Sequence, residues 1–214
     1  NKEMALVLQE FLKSCDTNDE VRVVYLTGAG KGFCAGQDLA EVTAEDGPEL
    51  RAIVKEHYNP LIEIMRNLEK PIVCAVNGVA AGAGANIALA ADIVVAAESA
   101  TFIQAFSKIG LIPDSAGTYF LPRLIGMQKA SALMMLGDKV SAIEAERMGM
   151  IYKYYSDDVF ELESTQIAIT LAKMPTKAFA YTKKALNESM YNNLTEQLAV
   201  EEEYQTICGE SHDF

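Results

Sequence analysis

Two apolar runs that each break off into a glycine-rich turn constrain this chain more than any other feature. Val21–Thr27 (VRVVYLT) is rich in β-branched residues and stops at Gly28-Ala29-Gly30, while Ile72–Val76 (IVCAV) stops at Asn77-Gly78. Such runs predict buried strands that leave into loops. Ile93–Ala97 predicts a third strand, after a small-residue stretch, Gly84–Ala91, so dense in Ala and Gly that it must pack closely. Amphipathic helices are predicted at Met4–Ser14 and over about Glu49–Leu68, the second with a break near Pro60. Strands alternating with helices indicate an α/β fold.

After Gly137 the texture changes. Ser141–Met148, Val159–Lys173, Thr176–Met190 and Leu194–Cys208 all read as helices, and Ser141 with Glu144 has the form of a capping box. The expected organisation is therefore an α/β core over residues 1–137 and a helical region over 138–214. With 214 residues, half of them apolar, the chain can bury a substantial core. No apolar stretch approaches the ~20 residues of a membrane span. The first ten residues lack the basic-then-apolar pattern of a secretory leader.

Eighteen basic against thirty acidic residues give a net charge of −12, which disfavours nucleic acid and membrane surfaces as partners. Cys15, Cys34, Cys74 and Cys208 show neither CxxC spacing nor a pairing with histidine, so reduced thiols in a cytoplasmic protein are expected and no metal site. A Ser-His-Asp or Cys-His triad would need His57 or His212, one in a helical stretch and the other in a tail.

Three segments could carry chemistry. Gly28–Leu39 follows a strand but fails as a phosphate loop, because Gly32 and not Ser or Thr follows Lys31, and Phe33 stands where GxGxxG needs glycine. It remains either a loop offering N–H groups to an anion or oxyanion, or a plain turn. Asn77–Asn86 fails the dinucleotide fingerprint at Ile87 and reads as tight helix packing, an exposed set of N–H groups, or both. In Ile109–Thr118, Asp114 is either a helix cap or a carboxylate held in an apolar cleft. An apolar surround of Phe106, Ile109 and Ile112 would raise its pKa. Lys31, Lys108 and Arg123 are candidate anion contacts.

In order, FCAGQDL (Phe33–Leu39), KPIVCAVNGVAAGAGANIALAADIVVAAESATF (Lys70–Phe102) and SKIGLIPDSAGTYFLPRLIG (Ser107–Gly126) resemble the crotonase, or enoyl-CoA hydratase/isomerase, superfamily along essentially the whole chain. The resemblance implies a spiral of ββα turns with C-terminal helices that assemble trimers or dimers of trimers. It implies further that the family's first strands and last helix lie outside this chain. It places an oxyanion hole at the backbone N–H groups of Gln37 and Ala83, with Ala35, Gly36, Asp38, Leu39, Gly82 and Phe106 around the substrate. Coenzyme A would enter as part of the substrate thioester, with no tightly bound cofactor. The two glutamates of typical hydratases fall on Asn86 and Phe106, which moves the expectation from hydration to proton transfer by Asp114. GAGKGFCAGQDL, HYNPL (His57–Leu61) and FSKIGLIPD are similar to the isomerase branch that rearranges ring-epoxidised phenylacetyl-CoA to an oxepin. Other reactions on this fold, and a non-catalytic binding protein, are the alternatives.

Overall fold

The computed structural model describes residues 1–214. The chain opens with helix α1 (Lys2–Thr17), followed by strands β1 (Val24–Thr27) and β2 (Gly32–Cys34) and the short helices α2 (Leu39–Thr43) and α3 (Leu50–Ala52). A π-helical turn, Ile53–Tyr58, runs into α4 (Asn59–Asn67). Then come β3 (Ile72–Val76), β4 (Val79–Ala81), α5 (Ala83–Leu89), β5 (Ile93–Ala97), β6 (Thr101–Ile103), α6 (Gly117–Ile125) and α7 (Met127–Leu136). The rest is β7 (Lys139–Ser141), α8 (Ala142–Arg147), β8 (Lys153–Tyr155), α9 (Phe160–Ala172), α10 (Thr176–Glu188) and α11 (Leu194–Gly209).

From β1 to β6 successive strands alternate between two sheets. One has the order β1-β3-β5-β8, all parallel, and the other β2-β4-β6-β7, in which only β7 runs antiparallel. Each ββα passage thus adds one strand to each sheet, and this is the expected spiral. All five residues of β3 are buried, which is why a central parallel strand reads as an unbroken apolar run. Helix α9 covers the strands of the first sheet.

Beyond Gly137 the structure adds what the helical texture concealed. Strands β7 and β8, three residues each, complete the two sheets from within the region expected to be helical. Runs that short carry no readable period in the sequence. The four expected helices are present, with the capping box at Ser141 and a second one at Asn193 and Glu196.

The break near Pro60 has a compensation. Proline lacks the N–H that would bond the Glu56 carbonyl, and the chain widens into the π-helical turn just before it. Buried Gln9 of α1 donates through Nε2 to the carbonyls of Glu56 and His57, at 2.9 and 3.0 Å. Tyr58 is the last residue of this turn. No helix is long and apolar enough to cross a membrane.

Candidate active site

The two glycine turns meet. Gly36 has φ +93° and Gly82 φ +55°, conformations that other residues adopt only under strain. A Cβ on Gly36 would stand 3.0 Å from the Ala81 carbonyl oxygen and 3.5 Å from the Ala83 nitrogen, so the turn after β2 lies against the start of α5. Ala83 is the first residue of α5, where an N–H has no intrahelical acceptor, and Gln37 stands outside any strand or helix. Neither N–H donates to an acceptor within the chain. The structure therefore brings together the two donors that the sequence placed on separate segments.

The Gln37 side chain is held at both ends. Its Nε2 donates to Glu41 Oε2 at 2.6 Å, and its Oε1 accepts from the Tyr58 hydroxyl at 2.9 Å. Tyr58 is buried, and its phenol is pushed up by burial first and then by the negative charge of Asp114. Sequence reasoning missed Tyr58; the HYNPL stretch held it, but only the π-helical turn delivers it to the site.

Asp114 is half-buried and does not cap a helix: α6 begins at Gly117, with Ala116 at its cap position. The carboxylate Oδ1 accepts from Ser115 Oγ at 2.9 Å. Burial nevertheless outweighs that bond and raises the carboxyl above its ordinary range. Ser115 (φ +49°) and Ala116 (φ +58°) are both left-handed without being glycine, at roughly 1–2 kcal/mol each. The expected apolar surround needs correction. Phe106 is buried, with its ring 3.8 Å from where a Gly82 Cβ would be, but Ile109 and Ile112 are 59% and 80% exposed and point to solvent.

Among the other expected contacts, Ala35, Asp38 and Leu39 are exposed, and the Asp38 carboxylate accepts from Ala40 N as the cap of α2. Arg123 stacks over the Tyr119 ring at 3.9 Å and donates to the Tyr119 carbonyl, which occupies it within its own helix. Lys31 and Lys108 are exposed. His57 is buried and hydrogen-bonded to no serine, cysteine or carboxylate, and His212 lies exposed near the C-terminus, so no triad forms. Beside Gly36 lies an apolar cavity of about 130 Å³, lined by Leu26, Phe33, Cys34, Tyr58, Leu61 and Ile87 with the N-terminal turns of α1.

A ββα spiral that leaves two free main-chain donors side by side at its glycine turns is the architecture of a crotonase-like enzyme. The chain belongs to the enoyl-CoA hydratase/isomerase family, whose pattern it matches over residues 1–214. It is 46% identical to the 1,2-epoxyphenylacetyl-CoA isomerase of Escherichia coli K12, covering all of this chain and 83% of that protein. It is 47% identical to a probable enoyl-CoA hydratase of Rhodobacter capsulatus, over 91% of this chain and 76% of the relative. The crystal structure of an enoyl-CoA hydratase from Bacillus anthracis superposes with a TM-score of 0.92 at 30% identity, covering the whole of this chain and 83% of that one. The protein is accordingly an acyl-CoA enzyme of the hydratase/isomerase kind.

Proposed function

We propose that this enzyme isomerises a cyclic acyl-CoA, rearranging ring-1,2-epoxyphenylacetyl-CoA to oxepin-CoA. The thioester carbonyl oxygen accepts from the Gln37 and Ala83 N–H groups. In comparable sites one such donor is worth about 3–4 kcal/mol of transition-state stabilisation. Asp114, as carboxylate, takes a proton from one carbon of the acyl group; the electron pair passes into the thioester as an enolate. The same carboxyl returns the proton to a ring carbon, and the carbon–carbon bond that the ring shares with the epoxide breaks, its electron pair becoming ring π bonding as the seven-membered oxepin forms, so atoms and electrons balance with no water added.

The observation that carries this reading is the half-buried carboxyl of Asp114 with no carboxylate at Asn86 or Phe106. Asn86 and Phe106 stand where family hydratases bring carboxylates, and both are buried, the amide bound to its neighbours and the ring packed against Gly82. The cavity beside Gly36 supports the ring: an apolar hole of roughly 150 Å³ is known to accept benzene, and this one is of that order, with Phe33 and Tyr58 in its wall. The proposal includes assembly as a homotrimer or a dimer of trimers, and a cytoplasmic setting in which the four free cysteines stay reduced.

Asp114→Asn should lower turnover of ring-epoxidised phenylacetyl-CoA by about 10²–10⁴-fold while leaving its binding intact. Retained turnover would sink the role of Asp114. A panel of linear 2-enoyl-CoA thioesters tests the substrate: faster hydration of any of these than isomerisation of the ring compound overturns the assignment.

A further inference from the structure

Asn86 does more than replace a carboxylate. It lies on α5, 1% exposed, and its Nδ2 donates to the main-chain carbonyl of Asp114 at 2.8 Å. Its Oδ1 accepts from Nε2 of Gln104, itself 5% exposed, at 2.7 Å. The Gly117 N–H gives the same Asp114 carbonyl a second bond at 2.8 Å. A Cβ on Gly117 would stand 2.3 Å from Asn86 Nδ2, so main chain presses directly on the amide and fixes its place.

The direction of this chain is forced. A carbonyl oxygen can only accept, so the Asn86 amino group must face Asp114; its carbonyl must then face Gln104, whose amino group must face Asn86. The far end, Gln104 Oε1, is left buried without a donor. Apolar core residues would avoid that cost, and the presence of two buried amides here points to a task for them. The Asp114 carbonyl sits immediately before the two left-handed residues, Ser115 and Ala116, that swing the main chain into α6. Whatever holds this carbonyl sets where the Asp114 side chain begins.

We propose that Gln104 and Asn86 form a one-way amide relay that positions Asp114 for proton transfer, with Asn86 as a positioning residue whose essential property is a donor facing Asp114. The inference rests on the reading of Asp114 as the acid/base. It makes a prediction that shape alone does not: Asn86→Asp, nearly isosteric, fails where its carboxyl is ionised, because a carboxylate oxygen then faces the carbonyl it should donate to, while the protonated acid still donates, so the loss grows as pH rises.

The experiment measures kcat, KM for ring-epoxidised phenylacetyl-CoA and thermal melting for Asn86→Asp, Gln104→Glu and Asp114→Asn. Misplacement of a reacting group by about 1 Å costs on the order of 10²-fold, so Asn86→Asp is expected to lose at least about tenfold in kcat with KM within about threefold. Gln104→Glu, which keeps its shape and loses its donor, follows in the same sense and decides the matter if Asn86→Asp does not fold. Parental kcat at every pH up to the alkaline limit of the enzyme in a folded Asn86→Asp or in Gln104→Glu overturns the relay, as does a loss seen only in KM. Retained turnover in Asp114→Asn would instead overturn the acid/base reading beneath it, so the two failures are distinct.

Discussion

At the residue scale, Asp114 trades stability for reactivity. Its carboxyl is raised by burial, so between the ordinary carboxylate range near 4 and the raised value the folded state holds a proton that the unfolded chain has released. The sign follows: stability associated with this group is full at low pH and is lost as pH rises through the folded value, where the buried group must carry charge. Asparagine cannot ionise and can still accept from Ser115 Oγ. Asp114→Asn should therefore melt above the parent at pH 7, and the gap should close as pH falls toward about 4. Melting curves of the two proteins across that range check it; a gap constant with pH would mean that burial of the charge is not what the carboxylate costs. The variant that abolishes turnover should thus be the more stable protein.

At the element scale, one carboxylate gathers several of the ties between α10 and the spiral. Asp92, at the entry to β5, accepts from Ile72 N at 2.8 Å, from Lys183 Nζ of α10 at 2.9 Å and from Arg66 of α4 at 3.2 Å; Arg66 also donates to Asn187 of α10. Removing the shared acceptor strands the Lys183 ammonium and the Ile72 N–H, while Arg66 keeps Asn187 and the Ala90 carbonyl, whereas removing Lys183 leaves Asp92 with Arg66 and the main chain. Asp92→Ala should cost about 3–5 kcal/mol and Lys183→Met distinctly less, read from urea midpoints. Equal losses would dismiss Asp92 as the hub. Asp92 lies 20, 26 and 91 residues from Ile72, Arg66 and Lys183, which is why the junction was not legible there. Strands β3 and β5 were, because burial on both faces writes a continuous apolar run. The glycine turns were legible as turns, but their meeting depends on the climb of one strand per passage, and the role of Tyr58 depends on a π-helical turn beside Pro60. Asn86 was legible only as a departure from the hydratase pattern; that its amide holds the Asp114 carbonyl is a property of the packed α5–α6 pair.

At the scale of the whole molecule, α11 lacks a reason to be helical within one copy. It runs for 16 residues and buries none of them, joined to α10 by the Tyr181–Tyr204 ring pair and the Tyr204–Glu188 hydrogen bond. A helix of that length is marginal in water without a packed face. Leu186, Met190, Tyr191, Leu194 and Leu198 stand exposed along the same hairpin of α10 and α11, more apolar surface than scattered single residues would give. A second copy is the simplest cover, consistent with the proposed trimer. Sedimentation at micromolar concentration is expected to give three or six times the chain mass. Leu186→Glu with Leu198→Glu should shift it toward one copy and loosen α11, seen as faster amide exchange there than in β3. A parent chain that sediments as a single copy with α11 well protected would refute the assembly and leave the hairpin to be explained by its own packing.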